Sequence, residues 1–161
     1  MSKKELKTNA MRILDKANIS YKYQTYECDE FIDGVHTADI LGCDHSFVYK
    51  TLVTVGKNGN YYVFVIPIED EIDFKKAAKA VGEKSLEMLP LKNLTAVTGY
   101  VRGGCTAIGM KKTYPTVIHI SAENQDKIYV SGGKIGMQLL LSPQDLQKVS
   151  GAIFADVIRE K

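Results

Sequence analysis

Lys50 is the residue whose chemical character fits its surroundings least. Residues 47–55 are rich in β-branched and aromatic types, and a strand there places Lys50 on the same face as Val48 and Leu52. An ammonium group among apolar side chains either reaches from a sheet edge into water, which is the commoner case, or is held in a pocket for a phosphate or a developing oxyanion. The pattern alone leaves both interpretations open.

Two glycine-bearing segments are the other candidates for chemistry. The stretch from Gly99 to Lys112 contains four glycines and no regular hydrophobic period, so it predicts a long loop whose backbone N–H groups can approach a carbonyl or a phosphate. It lacks the Gly-Lys-Ser/Thr ending of a Walker loop, which argues against triphosphate hydrolysis. The second segment, Ser131 to Lys134, has the composition of a hairpin turn. Each segment alone is as compatible with a turn as with a site.

The other polar residues indicate neither a catalytic triad nor a metal centre. No serine lies in a Gly-x-Ser-x-Gly elbow, the three histidines lack the spacing of a HExxH pair, and the three cysteines form no Cys-x-x-Cys pair. Cys105 has no histidine near it in sequence and is interpreted as a small buried hydrophobe. We therefore expect no metal and no cofactor, and a reducing compartment suits the unpaired cysteines.

Length and composition predict one globular domain over residues 1–161. Hydrophobic residues make up 45% and charged residues 25%, as in ordinary soluble domains. The net charge of +2 is too small for bulk nucleic-acid binding, so any RNA contact must be local. No signal peptide and no apolar run of membrane-spanning length is visible, and a cytoplasmic location is expected.

Helices and strands are predicted to alternate without a strict β-α-β rhythm. The capping-box pair Ser2 and Glu5 predicts the first helix, Asp73 the start of another, and Ser142 with Pro143 the start of a third. Strands are predicted at 21–26, 47–55, 61–66, 116–120, 128–130 and 137–141, short helices at 37–41 and 91–97, and either element at 152–158. Because hairpins are present, the expected fold class is α+β with a mixed sheet and peripheral helices.

Four motifs occur together in an order that resembles a known family. They lie at residues 25–27 (Thr-Tyr-Glu), 48–52 (Val-Tyr-Lys-Thr-Leu), 99–112 and 128–134 (Ile-Tyr-Val-Ser-Gly-Gly-Lys). In order and spacing they resemble the YbaK/EbsC family, which is related to the editing domain inserted in bacterial prolyl-tRNA synthetases. The resemblance covers nearly the whole chain and implies a single compact α+β domain with a barrel-like mixed sheet flanked by helices.

The resemblance also implies an activity and partners. Family members of the YbaK branch cleave the ester of cysteinyl-tRNA(Pro), work beside prolyl-tRNA synthetase and need no metal. In the family picture, the thiol of the substrate attacks its own carbonyl and expels the 3′ end of the tRNA. An aminoacyl ester is already activated, so orientation and oxyanion support suffice, and a missing triad is no obstacle.

Site residues follow from the same resemblance. Lys50 matches the essential lysine and is assigned to the terminal phosphate or ribose of the substrate. Gly103 and Gly104 match the glycine loop, and their amides are assigned to the carbonyl oxygen. The expected substrate-binding residues are Tyr26, Thr51, Arg102, Thr106, Ser131, Gly132 and Gln138.

Two positions depart from the family pattern. Ala107 stands where many relatives have proline, and Gln138 where close relatives often have aspartate, which opens the choice of amino acid. The alternatives are a deacylase for alanyl-tRNA(Pro) or another small aminoacyl-tRNA, and a non-catalytic module that binds a tRNA end or a synthetase. A small-molecule-binding protein is disfavoured because cations are expected around the mouth of the site. These cations are Arg102, Lys111, Lys112 and Lys134. The sequence does not fix the oligomeric state or the cognate tRNA.

Overall fold

The framework of the protein is a pair of β-sheets, seen in a computed structural model that describes residues 7–26 and 34–160. The strands are β1 (Lys22–Thr25), β2 (Tyr49–Gly56), β3 (Tyr61–Pro67), β4 (Leu86–Met88), β5 (Thr116–His119), β6 (Ile128–Ser131), β7 (Met137–Leu141) and β8 (Ile153–Ala155). The smaller sheet has the order β1-β7-β6, and the larger one has the order β4-β2-β3-β5-β8.

The larger sheet is mixed, as the hairpins and crossovers of the sequence require. β2 and β3 form the antiparallel hairpin predicted at Asn58-Gly59, whereas β5 runs parallel to both β3 and β8. A parallel bridge between Val48 and Tyr129 joins the two sheets beside the start of β2. The predicted α+β class with a mixed sheet is confirmed.

Helices cover the outer faces of the sheets. They are α1 (Asn9–Lys16), α2 (Gly34–Leu41), α3 (Phe74–Val81), α4 (Leu94–Thr98) and α5 (Pro143–Ser150), with 3-10 turns at His45–Phe47, Leu91–Asn93 and Ile120–Asn124. α1 packs on the small sheet, where Met11 and Leu14 share a core with Leu139 and Leu141. α3 packs on the opposite side of β3, where Ala77 and Ala78 meet Phe64. No helix within the described residues is long and apolar enough to cross a membrane.

The predicted helix starts succeed where a short polar side chain caps the helix. Asp73 accepts hydrogen bonds from the Lys75 and Lys76 amides, and Ser142 accepts one from the Asp145 amide. The first described helix begins at Asn9, where Thr8 caps it and accepts from the Met11 amide at 3.2 Å. The predicted capping pair Ser2 and Glu5 lies outside the described residues.

Short elements are where the sequence-based boundaries fail. The predicted helix at 91–97 is a 3-10 turn followed by α4, and β4 carries too few residues to have been predicted. The ambiguous segment at 152–158 contains β8, which is a strand because it pairs in parallel with β5. Both β4 and β8 are edge strands, so their conformation depends on a neighbour distant in sequence.

Candidate active site

A cavity of about 670 Å³ runs along β2. β2 lines it with consecutive residues from Tyr49 to Val53, and three other parts of the chain form most of the remaining wall. These are the segment from Met88 to Leu94, the glycine loop 99–112 and the β6–β7 hairpin. The tertiary structure thereby brings together three of the four motifs singled out in the sequence.

Lys50 lies half-buried in this cavity, as a pocket lysine would. Its Nζ donates to the Ile68 carbonyl oxygen at 3.3 Å. Burial lowers the pKa of Lys50, and the nearby carboxylates of Glu71 and Asp70 partly oppose that shift. An ammonium has three donors, and Ile68 is the one acceptor recorded among the described residues, so donors remain for a ligand.

The two loop glycines have different surroundings. Gly104 donates its amide to the Val101 carbonyl at 3.0 Å, which closes a turn. Gly103, with φ of 85°, occupies the third position of that turn, as in a type II turn, and it lines the cavity. Among the described residues no backbone carbonyl accepts from the Gly103 amide. Of the two expected oxyanion donors, Gly103 is therefore available, whereas the Gly104 amide is already bonded.

Gln138 is a buried polar residue in the cavity wall. Its side chain is 6% exposed, and its Nε2 donates to the Tyr26 hydroxyl at 3.5 Å. Its Oε1 is buried and has no hydrogen-bond partner among the described residues. A buried acceptor left unpaired costs about 1–3 kcal/mol, and a donor on a ligand would remove that cost. Tyr26 itself does not line the cavity but positions Gln138.

The remaining expected binding residues divide into two groups. Thr51, Arg102 and Ser131 line the cavity, as expected. Thr106 does not, because it is fully buried within the loop, where its hydroxyl accepts from the Ile108 amide at 3.4 Å. Gly132 also lies outside the lining, and it bonds to the Met137 carbonyl within the β6–β7 hairpin.

The cavity holds no activated nucleophile within the described residues. Cys105 contributes to the lining, but burial raises the pKa of its thiol to about 12, so it stays protonated at neutral pH. His119 is buried away from the cavity, and its Nδ1 accepts from the Val157 amide at 3.2 Å. No group of three His, Cys, Asp or Glu side chains in the described ranges could hold a metal ion.

The cations expected around the mouth are only partly gathered there. Arg102 lines the cavity. Lys111 packs over Gly99 within the loop that forms the cavity wall, and the backbone of Lys134 packs against Gly104 of the same loop. Lys112 lines a separate cavity of about 210 Å³.

Sequence reasoning missed the apolar wall of the cavity. It comprises Met88, Leu89, Leu91 and Leu94, of which Met88 is 42% and Leu91 is 55% exposed. The signal available in sequence was an apolar run interrupted by Pro90, which looks like an ordinary short element. Thr37 of α2 was also missed, and it lines the cavity while being almost fully buried.

The sequence matches the aminoacyl-tRNA editing domain family over residues 34–149, which includes β2, the glycine loop and the β6–β7 hairpin. The chain belongs to this family. A relative from Enterococcus faecalis is 43% identical over 156 residues, which are 96% of this chain and 95% of that protein. Its provisional name is Cys-tRNA(Pro)/Cys-tRNA(Cys) deacylase EbsC. The predicted family and the predicted aminoacyl-tRNA deacylase activity are thereby confirmed.

Two solved structures agree with this chain in fold. One, described provisionally as a trans-editing enzyme for prolyl tRNA synthetase, has a TM-score of 0.79 at 20% identity and covers 95% of this chain and 99% of its own. Another, a hypothetical protein, has a TM-score of 0.84 at 22% identity and covers 92% of this chain and 97% of its own. At these identities the likeness shows the fold alone.

Proposed function

We propose that this editing-domain protein removes cysteine wrongly attached to tRNA(Pro), acting in trans. The observation that carries the proposal is the meeting of Lys50 and Gly103 in one cavity, without an activated protein nucleophile among the described residues. The 43% identical relative, whose provisional name specifies cysteinyl-tRNA, supports cysteine as the cargo. The proposed location is the cytoplasm, where aminoacyl-tRNA is used.

The chemistry proceeds through the substrate's own thiol. The thiol loses its proton, sulfur bonds to the carbonyl carbon, and the bond from that carbon to the ribose oxygen of the terminal nucleotide breaks. The proton ends on the ribose oxygen, and the cysteine leaves as a four-membered cyclic thioester that water opens. Atoms balance without a cofactor, and the protein has to supply orientation and charge stabilisation.

Each cavity residue then has a defined task. The Gly103 amide donates to the carbonyl oxygen as it becomes negative. The Lys50 ammonium binds the terminal phosphate or the ribose end, because it retains donors and lies in partly desolvated surroundings, where a charged hydrogen bond is strong. Gln138 offers its unpaired Oε1 to a donor of the aminoacyl group. Thr51, Arg102 and Ser131 complete the binding surface, and Gly104 supports the loop.

Prolyl-tRNA synthetase is proposed as the partner, because a cavity of about 670 Å³ encloses only the acceptor end of a tRNA. The cavity holds the acceptor end, so the identity of the tRNA has to be supplied elsewhere. Addition of the synthetase should raise discrimination between tRNA(Pro) and other tRNAs that carry cysteine, measured as relative deacylation rates.

The test compares release of labelled amino acid from cysteinyl-, alanyl- and prolyl-tRNA(Pro) by the natural protein and by Lys50→Ala. Lys57→Ala is the matched control, because Lys57 is an exposed lysine in the β2–β3 turn. Selective release of cysteine that Lys50→Ala abolishes and Lys57→Ala retains is expected. Release of alanine would identify the substrate as a small aminoacyl group without a thiol. Release of no amino acid from any of the three tRNAs would identify a non-catalytic binding module.

A further inference from the structure

One wall of the cavity is apolar and open to solvent, which a cysteinyl group does not require. Met88 and Leu91 are 42% and 55% exposed, whereas Val53, Leu89 and Cys105 are each under 10% exposed. All five line the cavity. The buried three form its floor, and the exposed two form its rim. We call Met88, Leu91 and the half-buried Leu94 the apolar shelf.

The volume exceeds what the cargo alone would fill. Cavities of about 300–1,000 Å³ hold ligands of the size of a drug or a nucleoside. At about 670 Å³, this cavity accommodates an aminoacyl group together with a nucleoside. A small amino acid at the floor leaves the rim for the next group of the substrate.

The lining of the cavity also carries charge. Lys50 lies on β2, and Arg102, which also lines the cavity, is exposed on the glycine loop. A ligand that fills the cavity therefore meets both cations and aliphatic side chains. A nucleotide suits both, since its phosphate is anionic and its base presents large apolar faces.

We propose that the apolar shelf binds the adenine ring of the terminal nucleotide of the substrate, with one face of the ring against Met88 and Leu91. The inference rests on the proposed function, which makes the substrate the 3′ end of a tRNA. Met88 suits the role, because its thioether makes favourable contacts with aromatic rings and its side chain adapts to their shape. The shelf gives affinity for the nucleotide and leaves the reacting carbonyl to Gly103.

The geometry of the segment supports a binding surface over a packing one. Met88 ends the edge strand β4, and Leu91 opens the 3-10 turn that leads into α4. The Leu89 amide donates to the Val53 carbonyl at 3.0 Å, which anchors the segment to β2 between the two exposed side chains. The shelf is thus held firmly while its outer side chains stay in water, as a preorganised ligand contact requires.

The first arm of the test uses kinetics of single-turnover deacylation of cysteinyl-tRNA(Pro). The double variant Met88→Ser/Leu91→Ser should raise the half-saturating enzyme concentration about tenfold, because aliphatic contact with the base is lost. The limiting rate should change less than about twofold, because the groups around the carbonyl are untouched. The matched control is Ile120→Ser/Ile153→Ser, which removes two side chains of similar exposure outside the cavity and should change neither quantity.

The second arm needs no catalysis and so separates the two hypotheses. With methyl-labelled methionine, AMP should shift the Met88 resonance, whereas ribose 5-phosphate, which lacks the base, should leave it in place. Equal shifts from both probes, or an unchanged half-saturating concentration in the shelf variant, would overturn the inference. The latter result would favour a protein partner on the shelf. If AMP shifts Met88 but the natural protein releases no cysteine, the proposed function fails and the nucleotide site stands.

Discussion

Gly104 and Lys134 lie in contact, so that a Cβ atom added to Gly104 would stand 2.8 Å from the Lys134 Cα. This contact joins the glycine loop to the β6–β7 hairpin, two segments that are thirty residues apart in sequence. Such a distance is shorter than real Cβ contacts, so one backbone must move to make room for any side chain. The close approach explains why glycine is needed at position 104 even though its amide is bonded to the Val101 carbonyl.

Gly104→Ala should therefore destabilise the fold. Overpacking against backbone typically costs about 1–3 kcal/mol, and the loop should shift relative to the hairpin. Urea unfolding measures the loss. Gly42→Ala is the control, since a Cβ at Gly42 meets nothing within 4 Å and pays only for its φ of 70°. Equal stability of Gly104→Ala and the natural protein would contradict the contact.

The pH dependence of deacylation should be bell-shaped. The rate rises as the substrate thiol ionises, with a pKa near 8.5, and falls as Lys50 loses its proton. Because burial lowers the pKa of Lys50 from 10.5, the fall should come at lower pH than for an exposed lysine. The measurement is the single-turnover rate with the spontaneous hydrolysis subtracted.

Lys50→Arg tests the assignment of the falling limb. An arginine stays charged throughout this range, so any activity that the variant retains should lack the fall at high pH. A variant that keeps the same falling limb as the natural protein would show that another group causes it.

Cys105→Ala should leave deacylation of cysteinyl-tRNA(Pro) within a few-fold of the natural rate. The thiol is protonated at neutral pH, since burial raises its pKa to about 12, so it cannot serve as the nucleophile. The natural protein should deacylate seryl-tRNA(Pro) far more slowly than cysteinyl-tRNA(Pro), because the hydroxyl of serine is a far weaker nucleophile than a thiol. Loss of all activity in Cys105→Ala, in a variant that still folds, would assign the chemistry to the protein thiol.

The affinity for tRNA should fall as salt concentration rises. Each phosphate contact adds roughly 0.7–0.9 to the slope of log affinity against log salt. Lys134→Ala should therefore reduce the slope by about one contact, since Lys134 flanks the cavity loop. Lys148→Ala, an exposed lysine on α5, should leave the slope unchanged. An affinity independent of salt would contradict phosphate binding at the mouth.

The stability of the fold should depend on pH through two histidines with opposite signs. Burial lowers the pKa of His119, so the stability that neutral His119 contributes to the fold is fully present above pH 6.5 and is lost as the pH falls. Hydrogen bonds to Asp39 and Glu69 raise the pKa of His45, so the stability that charged His45 contributes to the fold is fully present below pH 6.5 and is lost as the pH rises.

Urea unfolding between about pH 5 and 8 tests both signs. His119→Asn should weaken the loss of stability at low pH, and His45→Asn should weaken the loss at high pH. The two variants serve as controls for each other, because each removes one titrating group and leaves the other. The same change of slope in both would contradict the assignment.

Much of this structure could be predicted from short local patterns in the sequence. The caps at Asp73 and Ser142, the Asn-Gly hairpin and the alternation around Lys50 act over a few residues, so they are visible in the sequence and gave the α+β class. The motifs also gave the family and the cavity lysine. Motifs of three to fourteen residues carry enough local information for these inferences.

Only the tertiary structure determined which residues line the cavity and which backbone amide is available to a ligand. From the sequence, the amides of Gly103 and Gly104 were both predicted to bind the carbonyl oxygen. In the structure the Gly104 amide bonds to the Val101 carbonyl, whereas the Gly103 amide is available. The predicted binding residues included Thr106, which is buried within the loop, and they did not include Met88 and Leu91 of the apolar shelf. Solvent exposure and the direction of an amide depend on contacts between segments distant in sequence, so no local pattern records them.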